Sequence, residues 1–145
     1  MKAINNITAG LAGAVVLNIL HESAKRFFPN APRVDLVGEE ALTGILESAG
    51  VEPPQGNALY AATLASDVVS NALYYSLIGQ GKKKNVLLRG AGIGLAAGIG
   101  ALTLTKPLGL NDAPVNRTNT TKVLTVAWYL IGGLVTASIL KSKNQ

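Results

Sequence analysis

The sequence predicts an all-α, polytopic integral membrane protein with four transmembrane helices and a short amphipathic helix between the first and second. Three observations carry that expectation. The 145 residues are 48% hydrophobic and only 14% charged, against roughly 25% charged in an ordinary soluble domain. Four apolar stretches approach or reach the roughly 20 residues that a helix needs to cross the hydrocarbon core. The charges cluster between those stretches. A mean hydropathy of +0.32 points the same way, and the length suits one membrane domain over residues 1–145.

The first span is expected over about residues 3–20, "AINNITAGLAGAVVLNIL". It is the weakest of the four because Asn5, Asn6 and Asn18 lie inside it. Lys2 ahead of an apolar run also fits a signal peptide, but the flanks and cleavage pattern are poor. Next comes the longest polar region, residues 21–56. Within it, Val34, Val37, Ala41, Leu42, Ile45 and Leu46 recur at helical spacing, with Asp35, Glu39, Glu40 and Glu47 mostly on other faces. An amphipathic helix over about 34–49 follows, with Pro32 at its start and Gly50 past its end. Its polar face is acidic where lipid-surface helices are usually basic, so packing on the end of the bundle is the expected role.

Pro53–Pro54 and Gly56 resist helix and separate this element from the second span, about 57–79, "NALYAATLASDVVSNALYYSLIG". "GQGKKKN" reads as a tight turn into the third span, about 85–105. A loop punctuated by Pro107, Gly109 and Pro114 leads to the fourth span, about 122–140, with Thr120 or Thr121 as its N-cap. Buried soluble helices can also be apolar all round, but the third and fourth segments reach spanning length.

Four spans put both termini and the Lys82–Lys84 turn on one side, with seven lysines and arginines there and six on the other. The short, strongly basic turn favours a cytoplasmic location for that side, although Lys25 and Arg26, just after the first span, oppose it. The net charge of +5 is explained by cations flanking apolar segments, where they meet lipid headgroups. No basic helix with interleaved aromatics is present, so nucleic acid is not an expected partner. There is no cysteine and one histidine, which removes disulfides, thiolate metal sites and multi-histidine sites. No metal site or cofactor is assigned. Asn6, Asn116 and Asn119 begin N-x-S/T patterns too common to mark glycans.

Gly90, Gly94 and Gly98 fall four residues apart and line one helix face. Small residues at that spacing let helix backbones approach in lipid. Gly10 with Ala14 and the Gly132–Gly133 pair are candidate counterparts. The same run resembles a dinucleotide fingerprint only superficially, since that motif needs a preceding strand in a βαβ unit.

Asp67 is the singular residue of the second span. A carboxylate at the centre of a membrane helix costs about 2.5–3.5 kcal/mol on insertion scales and marks a functional candidate. Helical spacing places it in a polar stripe with Tyr60, Thr63, Asn71 and Tyr74, flanked by Ser66 and Ser70. It lies about 15 Å along its helix at 1.5 Å per residue, at the depth expected of Tyr129. Asp67 is expected to be held by the Tyr129 hydroxyl or the Trp128 indole and by its own helix neighbours, with Arg89 second, as a clasp that fixes helix register. His21 and Glu22 are adjacent, so their side chains diverge. The expected reading is an interfacial histidine, Glu22 paired toward Arg26, and Phe27 and Phe28 at headgroup level.

No catalytic residue emerges. The first expectation is therefore a non-enzymatic membrane protein. It would be a structural or accessory subunit packed through its glycine faces with other membrane subunits or as a homo-oligomer. The alternative is a small ion or solute channel or transporter with Asp67 lining a polar path. A lipid-acting enzyme has only His21, Glu22 and Arg33 to offer.

Overall fold

The computed structural model describes residues 2–143 and is all-helical. Six helices follow in order: α1 (Lys2–Phe27), α2 (Val34–Ser48), α3 (Gly56–Ser76), α4 (Val86–Thr103), α5 (Ala113–Asn116) and α6 (Asn119–Ser142). Short 3₁₀ turns, Leu77–Gly79 and Lys83–Asn85, join α3 to α4.

Local chemistry sets most of the boundaries. Gly50 adopts φ +72, and the Gly50 and Val51 amides return to Glu47 and Leu46 at 3.0 and 2.9 Å. That pair of bonds closes α2 by a left-handed glycine cap. Thr118, not Thr120 or Thr121, caps α6: its hydroxyl accepts from the Thr121 amide at 3.0 Å. The helix therefore starts at Asn119, ahead of the expected 122. The loop before it contains a short helix, α5, that hydropathy does not reveal, with Pro114 in its first turn. The first helix runs seven residues past the expected end at 20, so His21, Glu22 and Lys25 belong to it.

Helix α1 packs between α3 and α6, and α6 packs between α1 and α4. Leu17, Tyr75, Ile78, Tyr129 and Ala137 fill the centre. Helix α2 lies across the end of α3 and touches α5. Two strands of contact hold that end shut. Arg117 donates to the carbonyls of Pro29 and Ala31 at 2.9 and 2.6 Å, and Thr121 donates to Asn30 at 2.8 Å.

Three helical stretches are long and apolar enough to cross a membrane: Lys2–Phe27, Lys83–Thr103 and Asn119–Ser142. That is one fewer than the four spans expected. The missing one is α3. It has 21 residues, but Thr63, Ser66, Asp67, Ser70 and Asn71 remove it from the apolar class. Large apolar side chains point outward all round the bundle, including Ile4, Leu11 and Ile19 on α1, Leu88 and Ile99 on α4, and Val123 on α6. Exposed apolar side chains on several helices are compatible with a surface that faces lipid.

Candidate functional site

The polar residues of the chain's middle converge on the seam between antiparallel α1 and α3. At its outer end Lys25 donates to the Tyr60 hydroxyl at 2.7 Å and pairs with Glu22 at 2.7 Å. The Tyr60 hydroxyl donates to Glu22. Asp35, in the first turn of α2, lies 3.5 Å from Lys25 and accepts both arms of Arg33 at 2.9 and 2.8 Å. Five side chains thus pin α1, α2 and α3 together. Burial alone would push the Asp35 carboxyl up, but the Arg33 fork and charge, with Lys25, outweigh it and hold the group below its ordinary value. The same pairing raises Arg33.

Further in, the two helices offer polar residues in matching steps. From Lys25, α1 steps four and then three residues to His21 and Asn18. From Tyr60, α3 steps three and then four to Thr63 and Asp67. Antiparallel neighbours with those steps place His21 level with Thr63, and Asn18 level with Asp67. Asn18 stands beside the Asp67 carboxylate, and Asn71 donates to it at 3.3 Å. The middle level differs. Both ring nitrogens of His21 and the hydroxyl of Thr63 are buried with no hydrogen-bond partner among the described residues. Each such group costs about 1–3 kcal/mol if left dry. The His21 ring meets Tyr129 of α6 edge-on, with centroids 5.7 Å apart.

A cavity of about 250 Å³ opens beside this seam. Asp67 and Tyr129 form its polar side; Val34, Val37 and Ala41 of α2 and Leu104 face them. It is smaller than the roughly 300–1,000 Å³ of drug-sized sites, which suits a small solute or a hydrated ion. Gly38 lets α2 pack closely on α3 here, since a Cβ there would meet Thr63 Cγ2 at 2.8 Å.

The structure therefore brings Tyr60, Thr63, Asp67 and Asn71 onto one seam, with Tyr129 across the cavity. Tyr74 lies elsewhere, its hydroxyl donating to the Ile93 carbonyl of α4 at 3.0 Å. Several expected pairings are replaced. Among the described residues neither the Tyr129 hydroxyl nor the Trp128 indole bonds Asp67; the indole is buried without a partner. Arg89 is held at the far end by the carbonyls of Ile78 and Lys82, at 2.9 and 2.8 Å. Glu22 pairs with Lys25 and not Arg26, because α3 brings Tyr60 to that face. His21 is buried and not interfacial. Ser66 and Ser70 are exposed and bond back to carbonyls of their own helix.

Three contributors escape the sequence reading. Asn18 and His21 share a spacing with Lys25 that is itself a polar stripe, the signal that would have found them. Tyr75 is fully buried and donates to the Tyr129 carbonyl at 2.8 Å; nothing in its neighbourhood distinguishes it from Tyr74.

Gly90, Gly94 and Gly98 face α6. A Cβ on Gly94 would meet the Tyr129 carbonyl at 2.8 Å and Leu130 Cα at 2.9 Å; on Gly98 it would meet Val126 Cα at 2.7 Å. Gly133 is the counterpart of Gly90 and Gly94, while Gly10 lies against Ala72 of α3. Among the described residues no group of three or more His, Asp or Glu side chains is placed to hold a metal. No protein-family model, curated protein or solved structure matches this chain.

Proposed function

We propose that the chain is a non-enzymatic, four-span membrane protein whose α1–α3 seam and Asp67 cavity bind and pass a small ion or solute. The observation that carries this reading is the cavity itself, where a carboxylate inside the bundle meets space rather than packed side chains. Buried His21 and Thr63, whose polar atoms have no partner among the described residues, lie between Asp67 and the Lys25–Glu22–Asp35 cluster, outside the cavity lining itself. Groups without protein partners in a polar gap are where internal water binds. An intramembrane acid beside such a gap belongs to an ion or proton path more often than to a packing contact.

Helix α3 is the fourth span in this reading. Helices α1 and α4 both start at the end that carries Lys2, Lys83 and Arg89, so the chain has to return across the bundle between them. Helix α3 is the element that returns, and its polar face is turned to α1. The end with both termini is cytoplasmic: it holds seven of the lysines and arginines, and the acids other than Asp67 lie at the opposite end.

The test is flux through vesicles reconstituted with the full chain, using proton and monovalent-cation dyes. Wild type is expected to leak or exchange one of them and Asp67→Asn to lose at least tenfold of the rate. Equal flux in both, with the protein folded, would remove Asp67 from any path. A second reading, an accessory subunit or homo-oligomer, keeps one specific support. The α4 face opposite α6 exposes Gly92, Ala96 and Ile99, and a Cβ on Gly92 would meet nothing within 4 Å. Small residues facing lipid are the usual ground for close helix association. Native mass spectrometry of gently extracted protein, showing other polypeptides in fixed ratio, would favour it.

A further inference from the structure

At the end opposite the Asp67 cover, a cleft of about 90 Å³ lies among Lys2, Asn5 and Asn6 of α1, Lys83 and Arg89 around the start of α4, and Lys143 after α6. We propose that this cleft binds the phosphate group of an anionic ligand, either a phospholipid headgroup or a soluble phosphate. The site is independent of the Asp67 cavity.

Four cations from separate segments line one small space. They repel one another at this range, and among the described residues no acidic side chain lines the cleft to offset them. Arg89 is fixed in advance. Its Nε and Nη1 donate to the carbonyls of Ile78 and Lys82, so the guanidinium is oriented before any ligand arrives. A planar donor fork held in this way suits phosphate oxygens. Gly81, at φ +109, allows the turn to wrap that guanidinium; a Cβ there would sit 3.3 Å from Nη1. The Lys2 and Lys83 ammonium groups make no hydrogen bond or ion pair among the described residues, and that of Lys143 reaches only the Thr8 hydroxyl, at 3.4 Å. The Asn5 and Asn6 side chains add neutral donors to the same cleft. Packing explains Arg89 alone. It does not explain three further lysines gathered around it. Basic pockets between helix ends at the cytoplasmic surface are suited to anionic headgroups.

The experiment is native mass spectrometry of the full chain released from nanodiscs holding phosphatidylglycerol and phosphatidylcholine in equal amounts. Wild type is expected to retain phosphatidylglycerol in preference. The Lys2→Gln/Lys83→Gln variant should lose retention by about fivefold per lysine removed, whereas Lys106→Gln/Lys122→Gln, at the opposite end, should not. Both variants leave Arg89 and the turn it holds intact. Adding millimolar inorganic phosphate separates the sources. Displacement of the lipid by phosphate assigns the cleft to soluble phosphate, and persistence of the lipid assigns it to the headgroup. Equal retention of the two lipids by wild type, or equal losses in the two variants, would overturn the proposal.

Discussion

The α4–α6 and α1–α3 seams are built on opposite principles. Helices α4 and α6 meet through glycine, largely backbone against backbone, with only the Cβ atoms of Ala137 and Tyr129 beside Gly90 and Gly98. Nothing polar is needed there, because close van der Waals contact and freedom from side-chain ordering supply the association in lipid. Helices α1 and α3 meet at Gly10 and Ala72 near one end and through paired polar side chains further along. The first seam brings backbones together at its glycines. The second carries levels of polar groups and ends beside a cavity that Asp67 shares with α2, the end of α4 and Tyr129 of α6. Close packing excludes chemistry, and polar spacing admits it.

The largest effect should come from breaking the dry seam. Gly94→Leu is expected to cost about 3 kcal/mol or more, since its Cβ would press on the backbone of Tyr129 and Leu130, which has nowhere to go. Gly92→Leu, on the open face of the same helix, should change stability by no more than about 0.5 kcal/mol. Denaturant unfolding in micelles compares the two directly, and similar losses would mean that α4 packs by some other face.

Asp67→Asn sharpens the contrast from the other side. Its shape is preserved and interhelical polar contacts in membranes average only about 0.6 kcal/mol, so unfolding should move by less than about 1 kcal/mol while flux falls at least tenfold. A large loss of stability would make Asp67 a structural clasp. Tyr75→Phe is expected to cost about 1 kcal/mol, because it removes a buried donor and leaves the Tyr129 carbonyl with its helical bond. Thr63→Val should be smaller still, within about 0.5 kcal/mol, because the hydroxyl has no protein partner to lose. A cost well above that would show that the hydroxyl holds a partner essential to folding.

The smallest effect is expected from acid at the outer cluster. Asp35 sits below its ordinary value of 3.8 when folded. Its pairing with Arg33 and Lys25 therefore contributes fully above that value and is lost as pH falls through the lower folded one. Hydrogen-exchange protection of residues 34–48 should drop between neutral pH and pH 3 relative to α6. Arg33→Gln should shrink that difference, and an unchanged difference would detach the cluster from α2 docking.

Much of this architecture was legible from periodicity. The apolar segments, the amphipathic helix between the first two and the stripe through Asp67 all follow from spacings of three and four residues. Helix α2 begins at the expected Val34 and ends within one residue of 49, because Gly50 leaves the chain no other continuation. The extent of α1 was less legible, because hydropathy ends where His21 and Glu22 begin while the helix itself continues to Phe27. Asn71 of its own helix holds Asp67 as expected, but the partner from another helix is Asn18 of α1 and not a residue of α6, for a related reason. Depth along a helix was estimated, but rotation about its axis was not, and rotation decides which side chain a carboxylate meets.

By itself the sequence determined that the chain is helical, that its long segments are mostly apolar, and that one acid sits in a polar stripe. These are properties of composition and of the 3.6-residue turn, and they hold before any two helices touch. Tertiary structure alone decided that the glycines of α4 are consumed within the chain, that Asn18 and His21 complete the Asp67 seam, and that lysines from distant positions share one cleft. Those outcomes depend on how helices rotate and in what order they pack. Many arrangements satisfy the same periodicity, and only the fit of one helix surface against another selects among them.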